Sequence, residues 1–344
     1  MTSKEQVMSR LELNPIGGTP VFPRDLTLGL DALDISTEKI FKDEYTADLA
    51  AKAVLALQKI THHDAVVGCI HSAGFNVECF GGEMRYPERG IPYVQRHPFS
   101  SPDDFYKFKE REYDYTQLVR SYDIVKSSSP DLAVFGNLEA PVTRAGIYRG
   151  LENLMMDLSL DQTFALEIVE LGVERAMSYI EKLAENQSAD AIFFAAASDN
   201  PDMIGPEVYE SITLKYMSQL INKIHKLGLP VVFHPHGDFS SDELSSTLDK
   251  TIDLGIDGFQ FAEQNNHNII LQHTKNRCCI LGGINVTDSL LLGPDERIIN
   301  DCNKYMKDLS KEDYIFMCSC SLHRGISIKN VKTMVSAVKE FDSK

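Results

Sequence analysis

His234 and His236 stand two residues apart in the run Pro230-Val231-Val232-Phe233-His234-Pro235-His236-Gly237. On a β-strand that spacing puts both imidazoles on one face, with Pro235 pointing the other way. Proline lacks a backbone N–H, which suits the end of a strand better than its centre. Cys318 and Cys320 repeat the spacing at the end of the run Tyr314–Ser321. Two imidazoles and one of these thiols make a three-ligand set with an open fourth position, the arrangement of catalytic zinc. Cys69, Cys278, Cys279 and Cys302 read instead as small core hydrophobes.

Groups so far apart in the chain need a framework that gathers them. Eight β-rich runs alternate with longer amphipathic stretches: Pro20–Asp25, Ala65–Ser72, Leu132–Ala140, Ala191–Ser198, Pro230–Gly237, Gly258–Gln264, Cys278–Asn285 and Tyr314–Ser321. Helical periodicity is visible in Lys42–Thr61 at Leu49, Ala53, Leu57 and Ile60, and in Pro206–Leu227 at Ile212, Tyr216, Leu220 and Ile224. The last helix, Ile328–Phe341, follows Ser327 as an expected N-cap. Lys226-Leu227-Gly228 before Pro230, and Leu254-Gly255-Ile256-Asp257-Gly258 before Phe259, resemble the helix-to-strand turns of parallel sheets. Continuous apolar strands such as Val231-Val232-Phe233 and Ile192-Phe193-Phe194 belong to sheets covered on both faces. These features predict one α/β domain over residues 1–344, a single (β/α)₈ TIM barrel. A doubly wound open sheet is the runner-up, without the G-x-G-x-x-G that most often accompanies it. Gly74–Ser101, rich in Gly, Pro, Arg and Tyr, is expected to form an extended loop over the active-site mouth, with Arg85, Tyr86 and Arg89 as solvated positions.

In such a barrel the chemistry gathers at the carboxyl ends of the strands. Those ends carry His71, Glu139, Asp199, His234 to Asp238, Glu263, Asn285 and Cys318-Ser319-Cys320. Asp199, Asn200 and Ser240 read as caps and turn residues. Glu139 and Glu263 are candidates for a fourth ligand, an acid/base group or support for a ligating histidine. His71 and Asn285 are candidates for contact with substrate or cofactor.

The formal net charge of −16 argues against nucleic acid and against anionic membranes, both of which need a concentrated basic face. It also weighs against a polyanionic substrate. Met1 to Gly18 contains no apolar stretch of about 7–15 residues, the core of a secretion signal. No run approaches the ~18 apolar residues of a membrane span. Seven cysteines, an odd number on a long chain, read as reduced thiols or ligands, and the expected location is cytoplasmic.

Five segments carry a resemblance to the uroporphyrinogen decarboxylase superfamily, and within it to the methylcobalamin:coenzyme M methyltransferase-like branch. They are Gly18-Thr19-Pro20-Val21, Phe135 to Thr143, Leu229 to Gly237, Leu281-Gly282-Gly283-Ile284-Asn285, and the spacing from Cys320 to Asn330-Val331. The branch is known for a zinc site built from H-x-C and a late cysteine. The resemblance therefore implies zinc on His234, His236 and Cys320, with imidazole at His236 where the branch has thiolate. It implies corrinoid-dependent methyl transfer with a separate corrinoid protein as partner, since nothing here looks like a cobalamin-carrying domain. The small molecule on zinc would be a thiol such as coenzyme M or a methyl ether undergoing O-demethylation. The decarboxylase signature M-R-Q-A-G-R is matched only by Phe22 to Gly29, which keeps Arg24, a candidate substrate contact, and lacks the second arginine. Uroporphyrinogen decarboxylation, or a barrel that binds without turnover, are the alternatives.

Overall fold

The computed structural model describes residues 1–42 and 44–343. Its main sheet has seven parallel strands in the order β1-β4-β5-β6-β7-β8-β9. They are β1 Ala65–Val67, β4 Ala133–Glu139, β5 Ala191–Ala196, β6 Val231–Pro235, β7 Gly258–Gln260, β8 Cys279–Ile284 and β9 Tyr314–Cys318. Strands β2 Glu83–Arg85 and β3 Tyr93–Arg96 pair antiparallel as a separate hairpin. That hairpin sits in the segment after β1, and so leaves the carboxyl end of the sheet as the long loop was expected to do. Six of the seven sheet strands are buried at every residue; in β5 only Ala195 is partly exposed. Helices between successive strands cover the sheet, as parallel pairing requires.

The first expected strand is not a regular one, and the eight-stranded count is corrected to seven among the described residues. Pro20–Asp25 makes only isolated parallel bridges, Val21 to Phe316 and Asp25 to Leu322. On its other side Asp64 N–H donates to the Val21 carbonyl at 2.9 Å and His71 N–H to the Leu26 carbonyl at 3.0 Å. The segment thus lies between β9 and β1 without a continuous ladder. Pro20 and Pro23 contribute no N–H, and Arg24 has φ of 39°, outside the extended region. Strand β1 also stops early, at Val67. A Cβ on Gly68 would come within 2.2 Å of the Tyr122 ring, so the backbone there is pressed against a helix side chain.

The expected helices are present with different limits. Lys42–Thr61 becomes Ala47–Thr61, and Asp43 lies outside the described residues. Pro206–Leu227 divides into a first turn, a π-helical segment Tyr209–Leu214 and the helix Lys215–Lys226. Ile328–Asp342 matches the last helix, but Ser327 makes no side-chain capping bond. Among the described residues no helix is long and apolar enough to cross a membrane.

Candidate metal centre

Strand β6 forms because Val231, Val232 and Phe233 are buried within the helix-covered curled sheet, and it carries His234 as its fourth residue. His236 follows immediately, its N–H donating to the Ala196 carbonyl of β5 at 3.2 Å. The two imidazole centroids are 4.8 Å apart. Cys320, two residues past β9, places Sγ 4.0 Å from His236 Nε2. One ligand atom from each of His234, His236 and Cys320 lies within 4.8 Å of the others. Around one tetrahedral zinc with bonds of ~2.0–2.3 Å, such atoms would be roughly 3.3–3.8 Å apart. A small inward adjustment of side chains brings the three to that spacing.

The electrostatics also suit a cation. His234 is fully buried, and its Nδ1 lies 3.1 Å from the Gln260 carbonyl. A carbonyl only accepts, so Nδ1 carries the proton and Nε2 presents its lone pair. That Nε2 is buried without any hydrogen-bond partner, an arrangement that costs about 1–3 kcal/mol unless something binds it. Burial lowers the His234 pKa and keeps the ring neutral, as a metal ligand must be. Burial alone would raise the Cys320 thiol. The adjacent His234 and His236 imidazoles, and after them the Arg24 guanidinium, hold it well below the usual thiol range instead.

Cys318 is separated from this group. Its Sγ points to the carbonyls of Pro23 at 3.4 Å and Cys320 at 2.9 Å, and burial pushes its thiol up to about 12. Cys69 and Cys278 are likewise pushed up to about 12 by burial, and Cys302 and Cys279 are raised as well. All are core thiols.

A second polar group flanks the first. Glu139, the last residue of β4, accepts from Arg144 Nη2 through Oε2 and lies 2.6 Å from His71 Nε2 through Oε1. Burial raises its pKa, but Arg144 first and His71 second outweigh that and hold it below its ordinary value. Register connects the two groups: Glu139 pairs with Ala195 of β5, and Ala195 with His234 of β6. Glu139 and His234 therefore stand level on one face of the curled sheet, two strands or roughly 10 Å apart, with the small Ala195 between them. Arg24 closes the arrangement from the irregular first segment. Its guanidinium lies 4.5 Å from the Phe193 ring centroid and donates to Asn137 Oδ1 at 3.2 Å. Burial lowers its pKa, opposed by Cys320, Cys318 and Glu139, and its Nε has no partner.

The remaining candidates lie apart. Asn285 caps the turn Val286–Leu291, its Oδ1 accepting from Thr287 and Asp288 N–H at 2.8 Å each. Glu263 is exposed, because β7 ends at Gln260, and its carboxylate is not one of the grouped ligand atoms. Asp199 is structural: its oxygens accept from Val142 N–H, Thr143 N–H and the hydroxyls of Thr143 and Thr213. Asn200 and Ser240 accept backbone N–H groups of Asp202 and Asn266. Three contributors were not singled out from sequence. Asn137 sits two residues before Glu139 and so shares its face, a signal that was present. Gln260 and Arg144 act through a backbone carbonyl and a helix turn, which leave no mark in residue spacing.

A largely parallel, curled α/β sheet with a cation-competent His/His/Cys group at its carboxyl end defines the class. The Uroporphyrinogen decarboxylase (URO-D) family profile matches residues 2–341, and the chain belongs to that family. The structure is similar to a methyltransferase from Methanosarcina mazei, with TM-score 0.83 and 19% identity over 99% of each chain. An archaeal fructose 1,6-bisphosphate aldolase (TM-score 0.42, 11% identity, 94% of each chain) is more distant. So is the endo-1,4-beta-mannanase of Eisenia fetida (TM-score 0.46, 11% identity, 94% of this chain and 92% of that one). No curated protein matches the sequence.

Proposed function

We propose that this protein is a zinc-dependent, corrinoid-linked methyltransferase that moves a methyl group between a partner corrinoid protein and a small molecule held at His234, His236 and Cys320. One observation carries the reading: a buried, partnerless His234 Nε2 lies beside the His236 imidazole and a thiol already disposed to ionise. A neutral core would leave none of these features in place. The overall likeness to a methyltransferase supports the reaction class, and the resemblance of the quoted segments supports the corrinoid.

When bound, zinc supplies a Lewis acid that polarises an ether or alcohol oxygen, or holds a thiol as its anion. The protein's own groups do the rest. Gln260 fixes the His234 tautomer through its carbonyl. Arg24 brings positive charge beside Cys320. Transfer of a methyl cation from an ether oxygen leaves an anion that must gain a proton, whereas a thiol acceptor must lose one. Glu139, held ionised, is not an acid; it orients the His71 imidazole through its Oε1. His236 in place of thiolate leaves the site one negative charge short of the two-thiolate pattern. That favours oxygen polarisation, hence O-demethylation, over thiol activation.

The decarboxylase reading is the less supported one. Leu28, in the segment after Arg24, is fully buried, and Arg24 itself is engaged by Asn137 and Phe193. Eight substrate carboxylates would need several free arginines. The test is to supply zinc-loaded protein with Co(I) cobalamin and methoxylated aromatics, with methylcobalamin and thiols, and with uroporphyrinogen. A methylated corrinoid or a methylated thiol supports the proposal. Decarboxylation at roughly 1 per second or more overturns it.

A further inference from the structure

We propose that the pocket between the loop after β1 and the helix Thr116–Ser128 binds a small organic cation of the methylated-ammonium class. It is a pocket of ≈ 250 Å³ separate from the His/His/Cys group. Its walls are aromatic: Phe41, Tyr45, Phe75, Tyr86 and Tyr113. The rings are set largely on edge to one another, with Phe41 and Tyr45 at 71°, Tyr45 and Phe75 at 82°, and Phe75 and Tyr113 at 79°. Tyr86 stacks flat on Phe41 at 5.2 Å. The aromatic lining therefore comes from rings in several orientations, unlike a flat stack.

Around those rings stand Glu44, Glu78 and Asp114, and among the described residues no lysine, arginine or histidine lines the pocket. Among the described residues none of the three carboxylates is ion-paired. Glu78 accepts only the Tyr86 hydroxyl, at 3.1 Å, and Asp114 the N–H and hydroxyl of Thr116. Two neighbouring arginines are engaged elsewhere. Arg111 lies over the Phe108 ring at 4.5 Å and donates to the Cys79 carbonyl, while Arg175 donates to the Lys109 carbonyl. An aromatic lining and unpaired carboxylates together favour a soft, weakly hydrated cation over a neutral guest or an anion. A metal ion is the poorer occupant, since the three carboxylates are solvent-exposed and the rest of the lining is mostly aromatic. The pocket shares Phe75, Asn76 and Leu118 with the inner cavity lined by His71, Asn137 and Arg144, so it lies beside the site and not within it.

The experiment is a saturation-transfer NMR titration of the full-length protein with choline and with its uncharged isostere, 3,3-dimethyl-1-butanol. Choline should bind saturably, and the isostere at least about tenfold more weakly. Glu78→Gln combined with Asp114→Asn should weaken choline about tenfold or more, and Tyr86→Ala should do so separately, with thermal unfolding unchanged. His234→Ala should leave choline binding intact, which separates this pocket from the metal reading. Equal affinity for choline and the isostere, no saturable binding of choline, or loss of binding in His234→Ala alone would each overturn the proposal.

Discussion

Glu139 Oε1 lies 2.6 Å from His71 Nε2 at the carboxyl ends of two paired strands, β4 and β1, both side chains being nearly excluded from solvent. Arg144 occupies the other carboxylate oxygen. The ionised carboxylate is thus the hinge of a buried three-member network at the same level as His234.

Removing that charge should be costly and pH-dependent. Glu139→Gln leaves Arg144 buried without its counter-ion, a loss of about 3–5 kcal/mol at pH 7. The folded-state pKa of Glu139 lies below its ordinary value of 4.5. Its contribution is therefore complete above that value and disappears as pH falls through the lower, folded-state one. Denaturant unfolding of both proteins from pH 7 to pH 3 should show the difference shrinking only below about pH 4.5. A difference that is constant with pH contradicts the assignment.

Thiol chemistry should single out Cys320. In protein stripped of metal by a chelator, one cysteine should react with a thiol reagent at pH 7 at least about tenfold faster than an ordinary thiol. The fast phase should vanish in Cys320→Ser, persist in Cys318→Ser, and be suppressed by added zinc. A fast phase that survives Cys320→Ser would place the ionised thiol elsewhere.

Ala195 separates Glu139 from His234 and is partly exposed where the rest of β5 is buried. Enlarging it should fill the space above the strand. Ala195→Val keeps good strand propensity and should retain bound zinc while lowering kcat/KM for methyl transfer about tenfold or more. Unchanged kinetics would mean that the substrate lies on another side of the metal group.

Much of this site is legible in the sequence. The i, i+2 spacing of His234 and His236 specified a shared face, and Cys318 and Cys320 shared one too, so periodicity had no means of choosing between them. The choice comes from the Pro23 carbonyl, which takes the Cys318 thiol, a contact 295 residues apart in the chain. Pro20–Asp25 has a strand's composition, but two missing N–H groups and a positive φ at Arg24 break its ladder. Asn285 stands where a strand ends and a helical turn begins, and the capping role won. The composition of Gly258–Gln264 predicts a strand with Glu263 near its end, but β7 stops at Gln260.

His236 is the position where imidazole replaces the expected thiolate, and its exchange tests which way the site is used. His236→Cys should raise thiol methylation and lower O-demethylation, each about tenfold, because a second thiolate reduces the metal's Lewis acidity and strengthens a bound thiolate as nucleophile. Rates of both reactions with His236→Cys and the unaltered protein decide it. If neither changes, the ligand at this position does not select the substrate.

Zinc content, measured by elemental analysis on protein purified under reducing conditions, tests the central claim most directly. The account predicts about one zinc per chain, lost for the most part in His234→Ala, His236→Ala and Cys320→Ala and retained in Cys318→Ala. Zinc-free protein that cannot be loaded, or full retention in Cys320→Ala with loss in Cys318→Ala, would contradict it.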